Sequence, residues 1–121
     1  MLNKVFLVGR LGRDPELKYT SACVPVTTLI VATGSSYTDS DGNRVERTDW
    51  HRVAVYGHQA ETCTTYLRKS SLIYVEGSLQ TRKWQDRTGE DRVETEIKAQ
   101  KVLFLERWGG EANENGDEDW L

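Results

Sequence analysis

A chain of 121 residues with 37% apolar side chains can bury one core and not two, and no stretch of it has the length needed to cross a bilayer. Its net charge of −3 is unevenly placed: five of the 19 acids and none of the 16 bases lie in residues 109–121, so the body holds 16 bases against 14 acids. A mildly basic body with an acidic end suits a polyanion better than the whole-chain pI of 5.4 implies.

The first segment, residues 3–11 ("NKVFLVGRL"), alternates apolar with polar residues and reads as a strand, not a secretory leader. Two more strand signals follow at 25–35 ("PVTTLIVATGS") and 48–56 ("TDWHRVAVY"), with the turn residues Asp41-Gly42-Asn43 between them. Residues 58–68 break the alternation, and Ala60, Cys63 and Leu67 recur at helical intervals. Strands resume at 71–84 and 92–105 around the Gly-containing tip "QDRTGED". Three strands, a helix and two strands is the order of an all-β, five-stranded OB-fold barrel with its helix between strands 3 and 4 and long β-hairpins. Cys23 and Cys63, 40 residues apart, form no disulfide framework or metal knuckle and are expected to be buried thiols of a soluble, intracellular protein.

Side chains alternate across a strand, so the segment 48–56 sorts into two faces. Val53 and Val55 point one way with His51; Trp50, Arg52, Ala54 and Tyr56 point the other. The segment 71–84 divides alike, with Ile73, Val75 and Leu79 as the apolar set against Gln80, Arg82 and Trp84, next to Lys83, Arg87 and Arg92. Aromatics interleaved with guanidinium groups make a poor core and a good platform for nucleobases, because rings stack on bases while cations meet phosphate. On one strand such aromatics read as packing residues. Two strands in the same phase, expected to be neighbours, favour binding, and stacking without base-edge readers implies little sequence preference.

Other chemistry is sparse. No phosphate-cradling GxxxxGK[ST] loop occurs, and "GRLGRD" lacks the third glycine of a dinucleotide fingerprint. His51 and His58 have no carboxylate or cysteine at ligand spacing, and no nucleophile has a partner, so neither a metal, a cofactor nor a catalytic site is expected.

The stretches "NKVFLVGRLGRDPELKYT", "TDWHRVAVYG", "YLRKSSLIYVEGSLQTRKW" and "DRTGEDRVETEI" resemble the bacterial-type single-stranded DNA-binding protein family, over residues 2 to about 106. The resemblance implies an OB fold, a homotetramer and sequence-independent binding of single-stranded DNA in replication, recombination and repair, in the cytoplasm with the nucleoid and without catalysis. By position, Trp50 and Trp84 match the family's stacking tryptophans, Tyr56 its stacking phenylalanine, and Tyr37 stands where many members have a further tryptophan. Arg52, Lys69, Arg82, Lys83 and Arg92 match basic positions along the path of the strand. Lys4, Phe6 and Val8 lie in the segment that pairs between subunits, and His51 matches an interface histidine.

Residues 1–108 are thus expected to form the binding and oligomerisation domain and 109–121 a disordered acidic tail, too polar to offset its own ordering entropy. Many family members end in acids followed by Ile-Pro-Phe after a long linker; here Asp117, Glu118 and Asp119 precede Trp120 and Leu121. Acids followed by an apolar tip are expected to be a handle for replication, recombination and repair proteins, the alternative being an untidy chain end. Two alternatives stay open: an OB-fold adaptor that docks replication or translation factors and touches nucleic acid weakly, and an RNA binder of the cold-shock type.

Overall fold

β-Branched and aromatic residues at alternate positions favour extended backbone. In the computed structural model, which describes residues 1–106, they give six strands and a helix: β1 (Val5–Leu11), β2 (Lys18–Tyr19), β3 (Pro25–Thr38), β4 (Arg44–Tyr56), α1 (His58–Tyr66), β5 (Leu72–Gln85) and β6 (Asp91–Glu106). The strands lie in the order β1-β5-β6-β4-β3-β2. β1 also pairs with β3 through Arg10↔Ala32 and Leu11↔Val31, so five strands close into the expected OB-type barrel. Its one parallel seam joins β4 to β6 through Val53↔Ile97 and Ala54↔Lys98. The two-residue β2, too short to show alternation in the sequence, is held on β3 by Lys18↔Val26 and Tyr19↔Pro25.

The inward set of each strand is the core. Leu29, Val31, Val53, Val55, Ile73 and Val75 are fully or almost fully buried, and Ala60, Cys63 and Leu67 of the helical segment pack against them. Burial of each large aliphatic side chain contributes about 1.5–3 kcal/mol. α1 depends on this packing: four of its nine residues are threonine or histidine, poor helix formers, and Gly57 at its N-cap offers no side-chain bond. The Gln59 side chain ties it to β6 by accepting the Val102 N–H at 2.8 Å.

Two sequence expectations are corrected. Cys63 is buried, and burial pushes its thiol pKa up to about 12, but Cys23 is exposed. Cys23 occupies a turn with φ +64, where the Thr20 side chain accepts the N–H groups of Ala22 and Val24. Leu79, expected in the core set, is 50% exposed. β5 loses its β1 partner just before it, after Val5↔Gly77. Glu76 pairs with Lys101 but Gly77 with Ala99, so β6 carries one extra residue there, and a Cβ on Gly77 would strike the backbone of Lys98. Leu79 keeps the core parity, opposite buried Ile97, but lies past the end of that pairing, its backbone N–H and C=O both bonded to the Asn3 side chain at 2.8 Å.

Past the barrel, β3–β4 and β5–β6 run on as two-stranded arms that end in the same turn. Asp39 and Asp86 each accept backbone N–H groups with a carboxylate oxygen, from Asp41 and Asn43 in one arm and from Thr88 and Glu90 in the other. Gly42 and Gly89, both at φ +84, take the left-handed position that each turn requires.

Candidate nucleic-acid interface

Cross-strand partners share a face, so the register maps the outer surface directly. Trp50 lies opposite Ala32, Arg52 opposite Ile30, Ala54 opposite Thr28 and Tyr56 opposite Val26. Ala54 also pairs with Lys98, which continues the face across β6 through Lys98, Glu96, Glu94 and Arg92 to Ser78, Gln80, Arg82 and Trp84 of β5. Trp50, Arg52, Tyr56, Arg82, Trp84 and Arg92 therefore all stand on one outer face. β4 and β5 are not neighbours, contrary to expectation, because β6 runs between them. The pairing that inserts β6 links residues more than 40 positions apart and leaves no local trace in the sequence.

Trp50 is 60% exposed, Tyr56 41% and Trp84 42%, each open enough to receive a flat partner. The six-membered ring of Trp50 lies over Gly12: a Cβ there would sit 2.5 Å from its Cζ3. Gly12 is fixed in turn by donating its N–H to the Ile30 carbonyl at 2.8 Å. The glycine of "GRLGRD" that fails to complete a dinucleotide fingerprint is thus the seat of the exposed Trp50 ring. Lys98, which the sequence reading missed, places its ammonium 5.7 Å from the centre of the Tyr56 ring.

The cations differ in how free they are. Arg52 donates from Nε to Glu94 Oε1 at 2.8 Å, and Arg92 donates from Nε to Asp86 Oδ2 at 2.9 Å with Glu90 at 3.4 Å. Exposed pairs of this kind stabilise by about 0–1 kcal/mol, little enough for a phosphate to displace or share. Arg82, Lys69 and Lys83 have no side-chain partner among the described residues, although the Lys69 backbone N–H is held by Asp14 Oδ1 at 2.7 Å. The acid on the platform is real: Glu96 is buried and accepts from Gln80 at 3.1 Å.

Three residues assigned by resemblance stand off this face. Tyr37, 54% exposed, pairs with Val45 and shares the parity of Val31 and His51, so it projects from the other side of the β3–β4 arm. Lys83 pairs with Val93 on the reverse of the β5–β6 arm. Lys69 sits in the connection between α1 and β5.

The remaining assignments map to another part of the surface. Phe6 and Val8, 61% and 53% exposed, pair with Glu76 and Tyr74 of β5, and Leu103 opposite Tyr74 is 43% exposed. Lys4 borders this apolar patch, bonded to Gln100 at 3.0 Å and 3.8 Å from Glu76. The Tyr74 hydroxyl donates to Glu76 at 2.9 Å, and desolvation followed by that carboxylate raises its pKa. His51 is half-buried and bonds Thr33 Oγ1 at 2.8 Å. Asp117, Glu118, Asp119, Trp120 and Leu121 lie outside the described residues.

The family assignment follows from comparison with known proteins: the model of the single-strand binding protein family matches residues 2–105. The chain belongs to this family. A deletion mutant of the single-stranded DNA-binding protein from Thermus aquaticus aligns at 37% identity and a TM-score of 0.76, over 87% of this chain and 51% of that one. The chain thus spans about half the length of the Thermus aquaticus protein. A Plasmodium falciparum SSB, solved in complex with single-stranded DNA, aligns at 35% identity and a TM-score of 0.79, over 88% of this chain and 97% of that one. These single-strand binding proteins share the OB barrel described above. Among the described residues no cluster of His, Cys, Asp or Glu could hold a metal, and no helix is long and apolar enough to cross a membrane.

Proposed function

We propose that this chain coats single-stranded DNA without reading its sequence, stacking bases on Trp50, Tyr56 and Trp84 while Arg52, Arg82, Arg92 and Lys98 meet the phosphates. The observation that carries the reading is the outer face itself, which sets three exposed aromatics among four cations across β4, β6 and β5. Every base has a π-face, so stacking is tolerant of sequence. Paired bases in a duplex cannot lie on these rings. Tyr37, Lys69 and Lys83 join the path where a strand wraps around an arm or past the end of α1. Titrating tryptophan emission with oligo-dT, oligo-rU and duplex DNA tests the reading. Strong quenching by oligo-dT and weak quenching by duplex is expected; equal affinity for duplex would overturn it.

The apolar patch of Phe6, Val8 and Leu103 supports assembly into a homotetramer, with Lys4 and His51 at the contacts. Residues Val5 to Val8 have β5 on one edge and no strand partner among the described residues on the other, which fits pairing between subunits. A charge at Phe6 is expected to lower the sedimenting mass. Such a coat acts at the nucleoid in the cytoplasm, where it must be displaced by replication, recombination and repair proteins. The acids 117–119 with Trp120 and Leu121 are the handle proposed for them, and deleting residues 113–121 is expected to abolish their capture while DNA binding persists.

A further inference from the structure

Between the arginines of β4 and β5 the outer face carries a carboxylate, that of Glu94 on β6. In the strand register Glu94 lies opposite Arg82 of β5, and its Oε1 accepts from Arg52 Nε of β4 at 2.8 Å. Glu96, two residues on and on the same face, is buried and bonded to Gln80, whereas the Glu94 side chain is 28% exposed and that of Arg52 44%. The Arg52–Glu94 pair therefore stands at the surface, within reach of whatever lies on the face. The terminal nitrogens of Arg52 have no partner among the described residues, and Arg82, although the cross-strand neighbour of Glu94, makes no ion pair with it. An exposed pair of this kind contributes little to stability, so the fold does not account for an acid at this position.

On a face that binds a polyanion, a carboxylate among the cations costs affinity, because it repels the phosphates that they attract. We propose that Glu94 is an internal competitor for DNA phosphate: it neutralises Arg52 while the face is empty and gives up or shares the guanidinium when a phosphate arrives. The coat then binds less tightly than its cations allow and is easier to displace. The proposal rests on the single-strand reading and concerns the regulation of that same face. Counterion release gives it a thermodynamic signature. A free cation that meets a phosphate releases a counterion condensed on the strand, which appears as salt dependence. Moving Arg52 from Glu94 to a phosphate instead leaves a carboxylate that attracts cations from solution, so the net release, and with it the salt slope, is smaller.

The test titrates the tryptophan emission of the full chain with oligo-dT over a series of salt concentrations, for wild type, Glu94→Gln, Arg52→Ala and the double variant Glu94→Gln/Arg52→Ala. Glutamine keeps an oxygen for the Arg52 Nε–H and loses the charge. Glu94→Gln is expected to bind several-fold more tightly at low salt, with a slope of log K against log salt steeper by up to about 0.7, the share of one phosphate contact to a single strand. A loosened fold would lower affinity and give neither result. In the Arg52→Ala background the same substitution is expected to gain less than half as much, because the cation it competes for is gone. Glu94→Gln with wild-type or weaker affinity overturns the competitor, the weaker result making Glu94 a positioning residue for Arg52. A gain that is equal with and without Arg52 overturns it as well, and reduces the effect to the net charge of the face. Both of these outcomes leave the single-strand reading intact, whereas failure of wild type to bind oligo-dT overturns that reading and the competitor together.

Discussion

The β3–β4 and β5–β6 arms are built alike and carry different surfaces. Each ends in an Asp-x-x-Gly turn, with the Asp carboxylate gathering two backbone N–H groups and the Gly at φ +84. Each carries an aromatic residue near its tip. In the β5–β6 arm Trp84 is in phase with Arg82 and, through β6, with the platform; in the β3–β4 arm Tyr37 is out of phase with Trp50 at the arm's own root. The lesson is that parity within an unbroken ladder decides which aromatics act together, and nearness in sequence does not.

The largest test of this difference compares Trp84→Ala with Tyr37→Ala in binding to oligo-dT. Losing Trp84 is expected to weaken binding by about 1–3 kcal/mol, the range for one base–aromatic stack, and losing Tyr37 by less than half as much. Equal losses would mean that the strand wraps both sides of the β3–β4 arm, and the division of faces would lose its functional meaning.

The root of the β3–β4 arm offers the next test. Gly12→Ala puts a methyl carbon 2.5 Å from Trp50 Cζ3, and the ring, as the free end of a side chain, is the part that must move. Affinity is expected to fall by about 1 kcal/mol, a partial loss of one stack, with the thermal midpoint nearly unchanged since Trp50 is exposed. A normal affinity would show that the ring's seat is unimportant and that only its phase matters.

How much of this was legible in the sequence follows the same division. Alternation placed Trp50, Arg52 and Tyr56 opposite Val53 and Val55, and Arg82 and Trp84 opposite Ile73 and Val75, because each assignment needs only one strand. Leu79 failed because the β1 pairing of β5 stops at Val5↔Gly77, a feature set by the partner strand and not by Leu79 itself, whose parity is that of the core. The adjacency of β6 to β4, and with it the Arg52–Glu94 pair and the Lys98–Tyr56 contact, is a product of barrel closure over a long sequence separation. Tyr37 was assigned by resemblance, and its parity could have been counted: it is five residues from Ala32, the partner of Trp50, and an odd interval changes the face.

Within the β5–β6 arm the two arginines sharpen the comparison further. Arg82 is unpaired among the described residues and Arg92 is pinned to Asp86 and Glu90. Arg82→Ala is expected to make the salt slope shallower by about 0.7, one phosphate contact, and Arg92→Ala by less. A larger change for Arg92 would show that DNA draws it out of the turn.

The smallest effect separates the two turns. Asp86 differs from Asp39 in what its carboxylate also receives: the Thr88 hydroxyl at 2.6 Å and the Arg92 guanidinium at 2.9 Å, beyond the two backbone N–H groups. The Thr88 bond, followed by those of Arg92 and the backbone, outweighs desolvation and lowers the Asp86 pKa below its ordinary 3.8. A carboxylate with a depressed folded pKa adds stability that is present above the unfolded value and is lost as pH falls through the folded one. The β5–β6 tip is therefore expected to keep its turn at pH 4 and to loosen only in more acidic solution, read by NMR as a shift of the Thr88 and Glu90 amide resonances with a midpoint below 3.8. Asp86→Asn, which removes the charge but keeps one acceptor oxygen, is expected to abolish that titration and to weaken the hold on Arg92, leaving Glu90 as its ion-pair partner. A midpoint at the ordinary aspartate value would mean that the Thr88 and Arg92 bonds are not maintained in solution. The two turns would then be equivalent, and the arms would differ in the phase of their aromatics alone.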